Sequence, residues 1–138
     1  NVRITKTRGK HVKIKSFIKN YSNITEVLTD HGLASLGDAY VNFVHSVAMS
    51  ARKGIPSGEK VKGSVLAEAI RKVGLREQLP SRMTRHLLAD AAEALIAYAW
   101  LQGYVTIEES VTLLKSADDP VEGFSQLLAT IKKRIRFS

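Results

Sequence analysis

The sequence contains no cysteine, which excludes disulfide bonds and thiolate metal sites. No apolar run reaches the roughly 18 residues that a membrane-spanning helix needs, and no signal-peptide pattern is present. We therefore expect a cytoplasmic protein without a membrane partner. Aromatic residues make up only 7% of the chain, and the basic clusters lack the interleaved aromatics that stack on unpaired bases. Motifs for serine catalysis, phosphate-binding loops and paired histidine ligands are also missing.

Basic residues dominate the charge of the chain. Its 21 Lys and Arg exceed its 13 Asp and Glu, which gives a net charge of +8 and favours a polyanionic partner. Residues 1–19 hold seven basic side chains and no acid. Two further clusters have few acids to compensate them: the central basic set Arg52, Lys53, Lys60 and Lys62, and the C-terminal set Lys132, Lys133, Arg134 and Arg136. A single cluster is typical of a solvated surface, but three together indicate polyanion binding.

Apolar residues recur at helical spacing along most of the 138 residues. The pattern predicts an all-α fold of six or seven helices and no strand. We expect helices over about 10–21, 23–30, 33–52 and 64–73, one that follows Pro80 and Ser81 and ends at Gly103, one over 106–114 and one over 119–136. Residues 53–58 are predicted to be a loop. No repeat or linker divides the chain, so we expect a single domain over 1–138, with a basic segment over about 1–16.

The segment 87–101, LLADAAEALIAYAWL, carries two carboxylates in an otherwise apolar run. Such a run predicts a buried helix, and the spacing of Asp90 and Glu93 places both on one face. Burying an unpaired carboxylate costs several kcal/mol, and the segment has no Lys or Arg to neutralise the pair. The pattern suggests a divalent cation. Alternatively, both carboxylates reach the helix edge and pair with basic residues from elsewhere in the chain.

A third carboxylate, Asp38, lies near the start of the long helix. The preceding Gly37 costs about 1 kcal/mol inside a helix, which indicates close approach of another helix. If the two helices pack together, Asp38 joins Asp90 and Glu93 in an oxygen site suited to Mg²⁺ or Mn²⁺. His45, seven residues after Asp38, is the best candidate to support this site. We expect the other histidines, His11, His31 and His86, to be surface or hydrogen-bonding residues rather than metal ligands.

Three sequence blocks resemble the ribonuclease III family. Residues 34–38, ASLGD, match the end of its signature Glu-Phe-Leu-Gly-Asp, and residues 89–97, ADAAEALIA, match Ala-Asp-x-x-Glu-Ala-Leu-Ile-Gly. A family helix much like residues 64–75 lies between them, so the resemblance covers about 30–103. It implies a ribonuclease III-like endonuclease domain that forms a homodimer on duplex RNA. In such a domain Asp38, Asp90 and Glu93 would be catalytic carboxylates that bind Mg²⁺ or Mn²⁺.

One departure from the family signature concerns the metal site. Ala34 replaces the first glutamate, and His31 stands where many members have an acid one turn earlier. The pattern Leu-Ala-x-x-Gly-Asp-Ala over residues 33–39 is similar to the mini-ribonuclease III branch, which lacks a double-stranded RNA-binding domain. Asp30 is a candidate for the missing ligand, although Gly32 interrupts its path to the site.

The leading hypothesis is a metal-dependent endoribonuclease that hydrolyses phosphodiester bonds in double-stranded or structured RNA. The resemblance implies that the bound ion would activate a water and polarise the scissile phosphate. The central basic set would then contact RNA. The alternative is a non-catalytic RNA-binding homodimer on the same fold, which Ala34 favours and the retention of three acids opposes. A third hypothesis, an unrelated basic bundle, requires that the two carboxylate helices do not touch.

Overall fold

The computed structural model describes residues 16–137, which contain six α-helices and no strand, so the all-α prediction is confirmed. The helices are α1 (Ile24–Leu28), α2 (His31–Lys53), α3 (Gly63–Lys72), α4 (Arg85–Leu101), α5 (Ile107–Ser116) and α6 (Pro120–Arg134). A 3₁₀ turn at Arg76–Gln78, which the sequence pattern did not predict, joins α3 to α4. Within residues 16–137, no helix is both long and apolar enough to cross a bilayer.

Side-chain caps start three helices where the sequence predicts them. Asn23, Thr106 and Asp119 each accept a hydrogen bond from the backbone N–H three residues later, at 2.9 to 3.0 Å. These bonds satisfy backbone donors that the first turn of a helix leaves unpaired. Pro120 occupies the first turn of α6, where its missing N–H costs nothing.

The predicted helix over 10–21 is wrong in its described part. Residues 16 and 17 form a turn and residues 18–21 are irregular, while residues 1–15, with nearly all of the basic N-terminal segment, lie outside the described residues. Tyr21 instead donates a hydrogen bond of 2.6 Å to Asp30 and packs edge-on against Tyr98 at 5.3 Å. Asp30 also caps α2 by accepting from Leu33 N, so α2 starts at His31, before the predicted residue 33.

The helix α4 occupies the centre of the domain. It packs against α1, α2, α3 and α6, while α5 covers α2 and α6. Because neighbours surround it, α4 is buried at nearly every position from Leu88 to Leu101, as the all-round apolar segment predicts. Its contact with α2 is the most extensive in the described part of the chain. The two carboxylate helices therefore touch, which removes the main support for an unrelated bundle.

Gly37 is the point of closest packing between α2 and α4. A Cβ atom at this position would lie 2.0 Å from the carbonyl oxygen of Glu93 and 2.4 Å from its carbonyl carbon. Only glycine fits there, which confirms the expected close helix contact. Tyr40, on the same side of α2, is buried and its hydroxyl lies 2.9 Å from that of Ser110. Both residues therefore serve packing within the chain.

The segment after α2 folds back along that helix. Three polar side chains, one turn apart on α2, hydrogen-bond the backbone of alternate segment residues: Ser50 bonds Ser57, Ser46 bonds Glu59 and Asn42 bonds Val61. The backbone N–H groups donate at 2.9, 2.8 and 2.7 Å respectively. We call these three pairs the side-chain ladder. Lys60, between Glu59 and Val61, and Lys62, which follows Val61, point away from the ladder and are exposed.

We expect Gly37→Ala to destabilise the domain by about 3 kcal/mol or more, because the new methyl group meets backbone atoms of α4 that cannot rotate away. Urea denaturation measures the change. Gly58→Ala is the matched control, since a Cβ there meets nothing within 4 Å, and its effect should stay within about 0.5 kcal/mol. Equal losses in the two variants would contradict the packing role of Gly37.

Candidate active site

The three predicted carboxylates line one pocket of about 400 Å³. The pocket lies between the N-terminal halves of α2 and α4 and the start of α3. The chain lines it with ten residues: His31, Ala34, Ser35, Asp38, Val61, Gly63, His86, Ala89, Asp90 and Glu93. Six of the ten are acids, imidazoles or a hydroxyl, so the pocket is polar although apolar helices form its walls.

Glu93 lies deepest among the three acids. Only 8% of its surface is exposed, and its carboxyl lies within hydrogen-bonding reach of Asp38. Burial, the hydrogen bond with Asp38, and the charges of Asp38 and Asp90 together raise the pKa of Glu93 from an ordinary 4.5 to about 8. A pKa of about 8 favours the protonated form of the Glu93 carboxyl at neutral pH, and that form can share its proton in a hydrogen bond with the Asp38 carboxylate.

Basic side chains of the described region do not neutralise the three acids. Within residues 16–137, no Lys or Arg forms an ion pair with Asp38, Asp90 or Glu93. For this part of the chain, the alternative that the carboxylates pair with distant basic residues is therefore wrong. The pocket therefore keeps a net negative charge, and protonation of Glu93 reduces that charge.

Neighbouring polar groups position the other two carboxylates. Asn42 donates to an oxygen of Asp38 at 3.3 Å, and its own amide oxygen accepts the backbone N–H of Val61. One end of the side-chain ladder thus fixes both Asp38 and the pocket wall at Val61. Asp90 is half-buried, and its Oδ2 lies 3.6 Å from Nε2 of His86, one turn earlier on α4.

The histidines are arranged differently from the sequence prediction. His45 does not line the pocket; it is buried, faces the ring of Phe124 and lies 3.6 Å from the carboxylate of Glu59. Burial lowers the pKa of His45. Because this residue lies outside the pocket and its ring nitrogen faces Glu59, the predicted support of Asp38 by His45 is wrong. His31 and His86 are on the surface, as expected, but both also line the pocket. The sequence signal that could have placed both histidines in the pocket is their helical spacing from other pocket residues. His86 precedes Asp90 by four residues, and His31 precedes Ala34 by three.

Asp30 does not replace the missing ligand. One of its oxygens accepts from Leu33 N at 2.9 Å, and the other accepts from Tyr21 at 2.6 Å. It lies outside the carboxylate pocket. Ala34 itself is buried in the pocket wall, one turn before Asp38. A longer acidic side chain at position 34 would thus point toward the carboxylates, and the alanine leaves that space open.

The donor chemistry of the pocket fits a divalent cation, although the side chains do not yet converge on one point. Within residues 16–137, no three acid or imidazole side chains are gathered closely enough to hold an ion. A ready-made three-carboxylate site is therefore not present. Three carboxylates crowded without a cation, one of them protonated, nevertheless form an environment that a divalent ion would stabilise.

The central basic set is divided between structural contacts and free side chains. Arg52 donates to the carbonyl of Ala117 at 3.2 Å, and Lys53 pairs with Glu59. In contrast, the side chains of Lys60 and Lys62 make no hydrogen bond or ion pair with any described residue, and these lysines flank Val61 at the pocket wall.

Three of the four C-terminal basic residues also bond the chain itself. Lys132 donates to the carbonyl of Val73 at 2.9 Å, and Arg134 donates to the carbonyl of Tyr104 at 2.8 Å and to Glu109. Arg136 donates to backbone carbonyls at the end of α6. This cluster, expected to attract a polyanion, therefore also ties the last helix to its neighbours.

A comparison with protein-family models gives one match, to the family described as Ribonuclease III, over residues 31–136. The match spans α2 through α6 and so extends beyond the region of about 30–103 in which the sequence resemblance lies. It includes all three carboxylates of the pocket. No curated protein matches the chain.

We expect Glu93→Gln to stabilise the metal-free protein in a pH-dependent way. Because the folded-state pKa of Glu93 is about 8, its stabilising contribution is complete below pH 4.5 and is lost as the pH rises toward 8. Glutamine cannot ionise, so the variant should match the wild type near pH 4.5 and exceed it by roughly 2 to 4 kcal/mol above pH 8. Urea denaturation in EDTA measures both.

Glu68→Gln, an exposed change on α3, is the control and should show no pH-dependent difference from the wild type. A Glu93→Gln variant that is no more stable than the wild type at pH 8.5 would mean that the carboxyl ionises there without penalty.

Proposed function

The chain belongs to the ribonuclease III family, and we propose that it is a metal-dependent endoribonuclease that hydrolyses phosphodiester bonds in double-stranded or structured RNA. Family membership supports a ribonuclease-type function on RNA. The observation that carries the more specific proposal is the pocket that brings Asp38, Asp90 and Glu93 together without a Lys or Arg partner among the described residues. A purely structural role gives no reason to place a buried Glu93 beside two further acids, Asp38 and Asp90.

Asp38, Asp90 and Glu93 would hold Mg²⁺ or Mn²⁺ in this pocket. When bound, such an ion supplies a Lewis acid that polarises the scissile phosphate and makes a water more acidic. The pocket is open to solvent along the exposed side of Asp38 and the half-buried side of Asp90, so a phosphate can approach these two groups. Glu93 lies behind them, where burial keeps its carboxyl in a fixed position. Hydrolysis by water with departure of the 3′ oxygen would leave a 5′-phosphate and a 3′-hydroxyl.

Lys60 and Lys62 would bind the RNA backbone next to the pocket. Both are exposed, both lack partners in the described region, and the side-chain ladder holds the segment that carries them against α2. Duplex RNA is recognised mainly through its phosphates, its 2′-hydroxyls and its shape, which suits two lysines at fixed positions. Arg52 and Lys53, already engaged within the chain, would contribute less.

We also propose a homodimer. The side of α2 opposite the core exposes Leu36 and Phe43, the latter with 55% of its surface, and the nearby Ile55 is 63% exposed. This exposed apolar face continues into a groove along α2 that Val47 and Pro56 also line. A second copy of the chain would bury this face.

A non-catalytic RNA-binding homodimer remains the second candidate, and one observation favours it. Ala34 lies in the pocket wall where the family signature has a glutamate, so the site lacks one oxygen ligand. We further propose that residues 1–138 form one domain of this family, with the basic segment 1–16 available to RNA. The cytoplasmic location expected from the sequence stays a prediction.

The first test measures cleavage of duplex RNA by the wild type in Mg²⁺ or Mn²⁺. Glu93→Gln and Asp90→Asn should each lower the cleavage rate by about 100-fold or more, because each removes a charge from the metal site. RNA affinity, measured without metal, should change by less than about twofold. Glu68→Gln is the matched control and should cleave like the wild type.

If the wild type binds several structured RNAs but cleaves none of them with Mg²⁺, Mn²⁺ or Co²⁺, the non-catalytic candidate is correct. Activity that appears only after Ala34→Glu would show that this one change inactivated the site.

The second test concerns the RNA-binding lysines. The double variant Lys60→Gln/Lys62→Gln should weaken RNA binding and lower the slope of log affinity against log salt by about 1 to 2, because two phosphate contacts are lost. Lys115→Gln/Arg71→Gln removes the same charge from exposed positions on α5 and at the end of α3 that do not line the pocket. An identical change of slope in both double variants would mean that only net charge matters.

The third test measures the oligomeric state by sedimentation velocity at micromolar concentration. The wild type should sediment as a dimer, and Phe43→Lys should shift it toward monomer, because the substitution places a charge in the exposed apolar face. Thr112→Lys, on the exposed side of α5, should leave the dimer intact. A wild type that sediments only as monomer would rule out this proposal.

A further inference from the structure

Two imidazoles in the carboxylate pocket have no role in the function proposed above. Nε2 of His86 lies 3.6 Å from Oδ2 of Asp90, and 83% of the His86 side chain is exposed, so its ring can rotate without disturbing the core. His31 lines the same pocket from the first turn of α2. His31 lies one turn before Ala34. At the position of Ala34 the family signature has a glutamate.

The spacing of His86 and Asp90 suits two ligands of one ion. Atoms bound at about 2.1 Å to the same ion lie roughly 3.0 Å apart in an octahedral shell and roughly 3.4 Å apart in a tetrahedral one. The observed separation of 3.6 Å is only slightly larger. Because the acids and imidazoles of residues 16–137 do not gather at one point, binding would require the exposed ring to rotate and Asp38 and Glu93 to move toward the same ion.

We propose that His86 is a nitrogen ligand of the metal site, assisted by His31 next to the gap at Ala34, and that the site therefore prefers a transition-metal ion to Mg²⁺. This inference rests on the proposed function, since it concerns the same ion. Mg²⁺ favours a shell of oxygen atoms, whereas imidazole nitrogen favours ions such as Co²⁺, Ni²⁺ and Zn²⁺. Loss of a carboxylate lowers the affinity of the pocket for Mg²⁺. An added nitrogen ligand raises its affinity for the later transition-metal ions.

Isothermal titration of the full chain with CoCl₂ and MgCl₂ at pH 7.5 tests the proposal. Since any nitrogen and oxygen site binds Co²⁺ more tightly than Mg²⁺, the decisive quantity is how each affinity depends on His86. We expect His86→Ala to lower Co²⁺ affinity by about tenfold or more and to leave Mg²⁺ affinity within about twofold. Arg85→Ala, at the adjacent position of α4, is the matched control and should leave the ratio of the two affinities unchanged.

Two further measurements examine the nitrogen ligand directly. Proton NMR of the Co²⁺-loaded wild type should show strongly shifted imidazole resonances, and those of one ring, His86, should be missing in His86→Ala. Ala34→Glu restores an oxygen donor, so it should raise the affinity for Mg²⁺. The ratio of Co²⁺ affinity to Mg²⁺ affinity should therefore fall.

The outcomes separate this inference from the function on which it rests. If both ions bind and His86→Ala changes neither affinity, or lowers both equally, nitrogen ligation is overturned while the metal-dependent function stands. If the wild type binds neither ion, the metal site itself is overturned. A Co²⁺-loaded protein without shifted imidazole resonances also contradicts the proposal.

Discussion

The contact of Gly37 with the backbone of Glu93 determines the geometry of everything around it. Without a side chain at Gly37, α2 lies directly against α4, and the carboxylates of Asp38 and Glu93 come within hydrogen-bonding reach. A helix pair separated by ordinary side chains packs 8 to 10 Å apart and would hold the acids farther from each other. The absence of a Cβ atom at Gly37 therefore allows the depth of the pocket, the burial of Glu93 and the short separation of the acids.

This closeness makes the carboxylate pocket costly for the fold. Glu93 lies on the most buried helix, and the charged groups that act on its carboxyl are two other acids, Asp38 and Asp90. The protein tolerates the arrangement because the rest of α4 is packed apolar surface, which supplies far more stabilisation than one protonated carboxyl removes. Proteins often keep such locally unfavourable groups where they bind or react with a ligand.

Much of the fold was predictable because it depends on local patterns. The apolar segment 87–101 predicted a buried helix, the caps at Thr106 and Asp119 predicted helix starts, and Gly37 predicted a close contact. The helix over 10–21 failed in its described part because Tyr21 bonds Asp30, a contact between residues that the helical pattern does not relate.

The site was only partly predictable, because it joins side chains from separate elements. The three carboxylates were found by their apolar surroundings, but His45 was misplaced: it shares a helix face with Asp38 yet lies about 10 Å farther along the axis. His31 and His86 were left on the surface because each stands on a different helix, and the pocket between those helices is not visible in the order of the residues.

The side-chain ladder has a consequence for how related sequences can differ in length. Because Ser57, Glu59 and Val61 alternate with exposed residues, inserting a single residue before Ser57 would leave the ladder in register, whereas one inserted between Ser57 and Val61 would reverse the alternation. Lys60 and Lys62 would then face α2, and the backbone groups that bond Ser50, Ser46 and Asn42 would face solvent. We infer that relatives with this arrangement vary the length of this stretch in steps of two, and that the turn at 54–56 accepts changes of any length.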